Sequence, residues 1–217
     1  MGDPVPDLHH ILLDAENAEW LLVLAHGAGA GMRHSFLEQL AAALAERKIS
    51  TFRYQFPYMQ EGRRRPDPPP VLLRSIEWAV SAASSLRPDL PVIAGGKSMG
   101  GRMTTVAAAQ GRLAPAVRGI VLYGFPLHPA GKPSVDRARH LPSVPCPMLF
   151  VQGGRDRLAE LSLLRPLLEP LGLKASLCVL PEADHSFAVP ARSGLQRQDV
   201  FRLLAEWTCR WCAGLEA

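Results

Sequence analysis

Gly95-Gly96-Lys97-Ser98-Met99-Gly100-Gly101-Arg102 decides how the chain is read, because Gly96 to Gly100 is a G-x-S-x-G pattern at the junction of two elements. Upstream, Pro91 to Ala94 starts an apolar strand that runs into the paired glycines. Downstream, Met99 to Gln110 is rich in Ala and Met and predicts a helix, with Gly111 placed to end it. The composition supplies roughly 0.09 chance matches to the pattern in a chain of this length, before any demand on context. The glycines have a steric reason. A serine on a strained strand-to-helix turn is exposed only if the residues two positions to either side lack bulky side chains.

Working outward, short apolar runs alternate with helical patterns, the order expected of a parallel sheet with crossover helices. Trp20 to Ala25 predicts a buried strand that stops at the Gly-rich His26 to Gly31. Ser35 is expected to cap the following helix, with Glu38 completing a capping box and Phe36, Leu37, Leu40, Ala41 and Leu44 as its apolar stripe. Ile49 to Phe56 is the next strand, residues 57–70 read as a Pro-rich loop, and Val71 to Ala83 carries a second helical stripe. Val117 to Tyr123, Met148 to Gln152 and Ser176 to Leu180 are further strands. A final amphipathic helix repeats Val200, Leu204, Trp207 and Trp211, and His9 to Leu13 offers an antiparallel edge strand.

With this order around it, Gly95 to Arg102 resembles the α/β-hydrolase fold, and the resemblance extends over almost the whole chain. More narrowly it looks like the branch of small hydrolases related to dienelactone hydrolase, which includes the hydrolase-like subunit of the NSL histone acetyltransferase complex. The resemblance implies a single domain over residues 1–217, with a mostly parallel sheet of about seven strands flanked by helices and no large lid domain. Only Phe125 to Pro145, a Pro-rich stretch of about 20 residues, lies where a cap would be inserted.

The superfamily orders its triad as Ser, then Asp or Glu, then His, the acid and base on turns after later strands. Asp156 in Gly153-Gly154-Arg155-Asp156 and His185 in Asp184-His185-Ser186-Phe187 meet that order after Ser98. Asp184 is the rival acid; as the neighbour of His185 in sequence it points elsewhere, so Asp156 is preferred. An oxyanion hole needs two backbone N–H groups. Met99, after the nucleophile, supplies one, and by resemblance the loop His26 to Gly31 supplies the other, at Ala28. The implied activity is a serine esterase or thioesterase acting on a small or exposed acyl substrate, with no cofactor. The reading from a different class is a catalytically silent hydrolase-like interaction module, which would need none of Ser98, Asp156 and His185.

Other residues carry weaker signals. His26 is expected to be structural, since the triad needs one base. Lys97 could attract an anion but is expected to point away from the substrate, and Arg63-Arg64-Arg65 is expected to be a solvated loop. Cys209 and Cys212 lack the partners of a redox or zinc site, and the four cysteines read as free thiols. Gly96-Lys97-Ser98 mimics the end of a P-loop, but Pro91 stands where that motif requires Gly. Gly27-Ala28-Gly29 begins a dinucleotide fingerprint that Met32 breaks.

Composition bounds the remaining classes. At 47% apolar and 20% charged the 217 residues suit a packed globular domain rather than a disordered or fibrous chain. No apolar run approaches the roughly 20 residues of a membrane span. The net charge of +4 is dispersed, so no nucleic-acid footprint is expected. The acidic, Pro-rich Met1 to Asp7 lacks the pattern of a secretory signal, and the expected location is the cytoplasm.

Overall fold

The computed structural model describes residues 7–215, so most of the N-terminal stretch read for a signal, Met1 to Pro6, lies outside it. Seven strands form one sheet: β1 (His10–Leu13), β2 (Trp20–Ala25), β3 (Ile49–Tyr54), β4 (Val92–Lys97), β5 (Val117–Tyr123), β6 (Met148–Gly153) and β7 (Ala175–Leu180). Their order is β1-β3-β2-β4-β5-β6-β7, with β1 antiparallel to β3 and every other pairing parallel. The chain moves from β2 to β3 on one side and returns to β4 on the other. The loops that follow β2 and β4 therefore flank the crevice where an open parallel sheet binds ligands.

Helices cover both faces: α1 (Ser35–Ala45), α2 (Pro57–Gln60), α3 (Pro69–Leu86), α4 (Met99–Ala109), α5 (Leu161–Leu168) and α6 (Arg197–Ala213). The period of two along β2 divides the core. Leu22 and Leu24 face α1 and α6, whereas Leu21, Val23 and Ala25 face α3 and α4. Both sides of the central strands are thus buried, which is why Trp20–Ala25 reads as an unbroken apolar run. A third cluster packs Ile120, Leu122 and Phe150 against α5 and the segment after β5.

Several elements differ from the sequence reading. The cap of α1 is His34, whose Nδ1 accepts from Phe36 N–H at 3.2 Å; Ser35 is already helical, so the Ser35–Glu38 capping box does not form. Residues 57–70 are not all loop, since Pro57 opens α2 and Pro69 opens α3, both tolerated because a first-turn N–H needs no helical partner. Helix α5 escapes the sequence reading because Pro166 lies inside its eight residues. On α6 the fully buried stripe is Val200, Phe201, Leu204, Ala205, Thr208 and Cys212, with Trp207 and Trp211 half-buried beside it.

The segment after β5 places Phe125, Leu127, Ala138, Leu141 and Val144 into the third cluster. It forms only two short 3-10 turns, Asp136–Ala138 and Leu141–Ser143, and the described residues include no large lid domain. No helix of the described residues is long and apolar enough to cross a membrane.

Candidate active site

Ser98 sits between β4 and α4 with φ 53° and ψ −118°, a positive-φ conformation that costs a non-glycine residue about 1–3 kcal/mol. The glycines around it are required sterically. A Cβ on Gly96 would lie 2.6 Å from Ala25 O, and one on Gly100 2.6 Å from His26 O. The turn is therefore pressed against the end of β2, and its strain is held by the sheet on both sides.

His185 lies in the loop after β7 and Asp156 in the turn after β6. The structure brings them to Ser98 in one chain of hydrogen bonds. His185 Nε2 is 2.8 Å from Ser98 Oγ, and Nδ1 is 2.7 Å from Asp156 Oδ2. Asp156 is buried and its carboxylate is fully used: Oδ2 also accepts from Gln152 Nε2 at 2.5 Å, and Oδ1 from Leu158 N–H at 2.8 Å. Asp184 turns to its own loop, where Oδ1 accepts from Ser186 N–H at 2.8 Å and Ala188 N–H at 3.0 Å.

The loop after β2 lies against the serine. A Cβ on Gly27 would touch Ser98 Cβ at 3.7 Å. Neither Met99 N–H nor Ala28 N–H has an acceptor within the chain among the described residues. The Gly27–Ala28 peptide is oriented by two donors to Gly27 O: His26 Nδ1–H at 2.8 Å and Ala30 N–H at 3.3 Å. In a planar trans peptide the N–H points opposite to its carbonyl, so Ala28 N–H is directed away from those donors. Tyr58 Oη–H donates to Ala28 O at 2.8 Å. Burial, with Asp67 adding its charge, pushes the Tyr58 phenol up to about 12 and keeps it a donor.

His26 is buried and belongs to this scaffold. Its Nε2 accepts from Phe56 N–H at 3.1 Å while Nδ1–H serves Gly27 O, a division only a neutral ring makes. Burial pulls its pKa down to about 4 against a smaller opposing effect of the Gly27 carbonyl.

Lys97 does not reach toward solvent. Its Nζ donates to His185 O at 2.7 Å and lies 5.6 Å and 5.7 Å from the Phe36 and Phe187 rings. The arginine run is exposed; Arg63 pairs with Glu61 and Asp67, and Asp67 in turn accepts from Tyr58 N–H at 2.9 Å. None of the cysteines is in a disulfide, and Cys209 and Cys212 lie on α6 away from Ser98.

Beside Ser98 opens a cavity of ≈ 750 Å³ whose walls are α1, the loop 185–189 and the start of α6. Phe36, Leu37, Phe187, Val189, Leu195 and Phe201 give it an apolar character. Among the described residues no Asp or Glu lines it, and none of its lining residues comes from 125–145.

Three parts of this site are absent from the sequence reading. Gln152, a polar residue closing an apolar strand four positions before Asp156, carries a visible signal. Its Oε1 accepts from Phe125 N–H at 2.9 Å while Nε2 serves Asp156. Tyr58 and the Lys97 contact carry none, since each acts on residues 30 and 88 positions away.

Comparison with known proteins agrees with this fold. The family model of the alpha/beta hydrolase domain matches residues 18–213. A dienelactone hydrolase from Anabaena variabilis has a similar structure, with a TM-score of 0.73 at 22% identity over 95% of this chain and 92% of that one. An alpha-beta serine hydrolase homologue from Coxiella burnetii gives a TM-score of 0.75 at 17% identity, over 97% and 94%. A lidless a/b serine hydrolase from Xanthomonas campestris gives 0.73 at 20%, over 96% and 91%. At such identities the likeness is one of fold.

Proposed function

The chain belongs to the alpha/beta hydrolase family, and from that premise we propose that it is a serine hydrolase cleaving a carboxylic ester or thioester through an acyl-enzyme on Ser98. The observation that carries the proposal is the unbroken chain from Ser98 Oγ through His185 to the buried Asp156, at 2.8 Å and 2.7 Å. In this reading His185 Nε2 takes the hydroxyl proton as Oγ attacks the acyl carbon, then gives it to the departing alcohol or thiol. Asp156 holds the Nδ1–H tautomer and stabilises the imidazolium, and its contacts to Gln152 and Leu158 fix it in that pose. Water attacks the acyl-enzyme with His185 again as base.

The negative oxygen of each tetrahedral intermediate is assigned to Met99 N–H and Ala28 N–H. Each such donor contributes about 3 kcal/mol when aimed at the oxyanion rather than at the ground-state carbonyl. The Phe and Leu side chains on the cavity wall favour an apolar acyl group. The residues assigned these roles span most of the sequence and act as one domain.

The decisive experiment treats the purified protein with a fluorophosphonate probe and reads the intact mass, beside Ser98→Ala. A single adduct on the native chain that vanishes in the variant is expected, followed by turnover in a panel of short and medium aryl esters and thioesters. No adduct on folded protein overturns the reading and leaves the interaction module. Activity confined to long-chain emulsions overturns the assigned substrate class.

A further inference from the structure

Ser98 and His185 must meet within hydrogen-bond distance, yet they are carried by β4 and β7, which are separated in the sheet by β5 and β6. No strand pairing sets the serine turn against the base loop. Lys97 spans that gap. It leaves the end of β4 immediately before Ser98, and its Nζ donates to the main-chain oxygen of His185 itself at 2.7 Å. The ammonium is wedged between the Phe36 ring of α1 and the Phe187 ring of the base loop, and it forms no ion pair among the described residues. Space there is tight, since a Cβ on Gly124, at the end of β5, would come within 3.0 Å of Nζ and 3.4 Å of His185 Cε1.

We propose that Lys97 is a positioning residue: its ammonium ties the serine turn to the backbone of His185 and thereby sets the imidazole against Ser98 Oγ. The proposal rests on the serine hydrolase reading above. A charge-assisted bond to a carbonyl is about twice as strong as a neutral one, so the tie is tightest while the lysine is protonated. The groups that face it are Asp156 from the β6 turn and Asp184 and His185 from the base loop; α1 and the end of β5 present Phe36 and Gly124, which do not titrate. Burial pulls the Lys97 ammonium down to about 8, with the charges of Asp156 and Asp184 opposing that shift. The tie therefore weakens as the pH rises through the range of a normal assay.

The test compares native protein with Lys97→Met and Lys97→Arg. Misplacement of a reacting group by about 1 Å costs on the order of 10²-fold, so Lys97→Met is expected to lower kcat by about ten-fold or more with KM within about two-fold. Native kcat is expected to fall above a pH of about 8. That limb disappears in Lys97→Arg, whose guanidinium stays charged, and in Lys97→Met, whose rate is low throughout. Deuterium uptake over residues 184–188 is expected to quicken in Lys97→Met and stay native in Lys97→Arg. A lysine that only fills space moves neither the alkaline limb nor the kcat-to-KM split.

Native kcat in Lys97→Met, the same alkaline limb in Lys97→Arg, or unchanged deuterium uptake in Lys97→Met each overturns the tie. Should Lys97→Met fail to fold by near-UV circular dichroism, the limb in Lys97→Arg decides. If the native protein neither labels at Ser98 nor turns over any ester, the hydrolase reading has failed; deuterium uptake in the two variants still decides whether the tie exists.

Discussion

Replacing Gly100 by alanine inserts one methyl group into the narrowest contact of the site. The new Cβ would lie 2.6 Å from His26 O, 2.7 Å from Ala25 Cβ and 2.8 Å from Ala25 C. Regaining an ordinary 3.4 Å contact requires the start of α4 and the end of β2 to part by about 0.8 Å. Those neighbours are the main chain of Ala25 and His26 and the Ala25 Cβ, none of which any side-chain rotation moves, so the clash is not relieved that way. Overpacking of this kind costs about 1–3 kcal/mol. Ala28 lies two residues beyond His26, so the same displacement moves its N–H relative to Ser98, and a shift near 1 Å costs about 10²-fold in rate. Gly100→Ala is thus expected to lose about 2 kcal/mol in urea unfolding and about 10- to 100-fold in kcat on an aryl ester. Gly29→Ala is the control, because a Cβ there meets nothing within 4 Å. A Gly100→Ala protein with native stability and native kcat would refute the steric account of the turn.

Asp156→Asn keeps the shape of the turn but cannot hold the Nδ1–H tautomer of His185, and kcat is expected to fall by about 10⁴ with little change in KM, read by steady-state hydrolysis. Tyr58→Phe removes the 2.8 Å bond to Ala28 O; urea unfolding should show a loss of about 1 kcal/mol, and kcat should drop several-fold while KM stays. For acid stability, His26 titrates near its ordinary 6.5 in the unfolded chain but at about 4 when buried. The unfolded state therefore binds more protons between those values, and stability falls with pH in that window, by about 2 kcal/mol at pH 5. His140, lowered to about 4 by burial and then by Arg102, acts in the same direction. Urea unfolding at pH 7 and pH 5 in a His140→Gln background isolates His26, and equal stability at the two values would contradict its buried neutral state.

Much of the fold was legible because its signals are local. Trp20–Ala25 and Met148–Gly153 are apolar runs buried on both faces, and each ends at the turn that the site uses. Ser98 was legible because G-x-S-x-G has a meaning only between strand and helix, and both flanks announce themselves. The α1 cap misled because Ser35 and Glu38 have the spacing of a capping box, whereas His34 can also offer an acceptor and sits one residue earlier. Helix α5 was hidden by Pro166, an in-helix proline that an eight-residue element tolerates. What no local pattern reveals is support across the sequence. Tyr58 orients Ala28, Gln152 holds Asp156 and Lys97 grips His185 O through contacts that exist only once the strands are ordered.

The cavity and the hydrogen-bonded chain are built by largely separate stretches. Its apolar walls come mainly from residues 30–37 and 187–201, whereas Ser98, Asp156 and their supports sit on turns packed into the sheet. That separation makes the protein a favourable starting point for directed evolution: randomising Leu37, Leu195 and Phe201, none of them on a turn that carries Ser98, Asp156 or His185, reshapes what is admitted while leaving those three hydrogen-bonded residues in place.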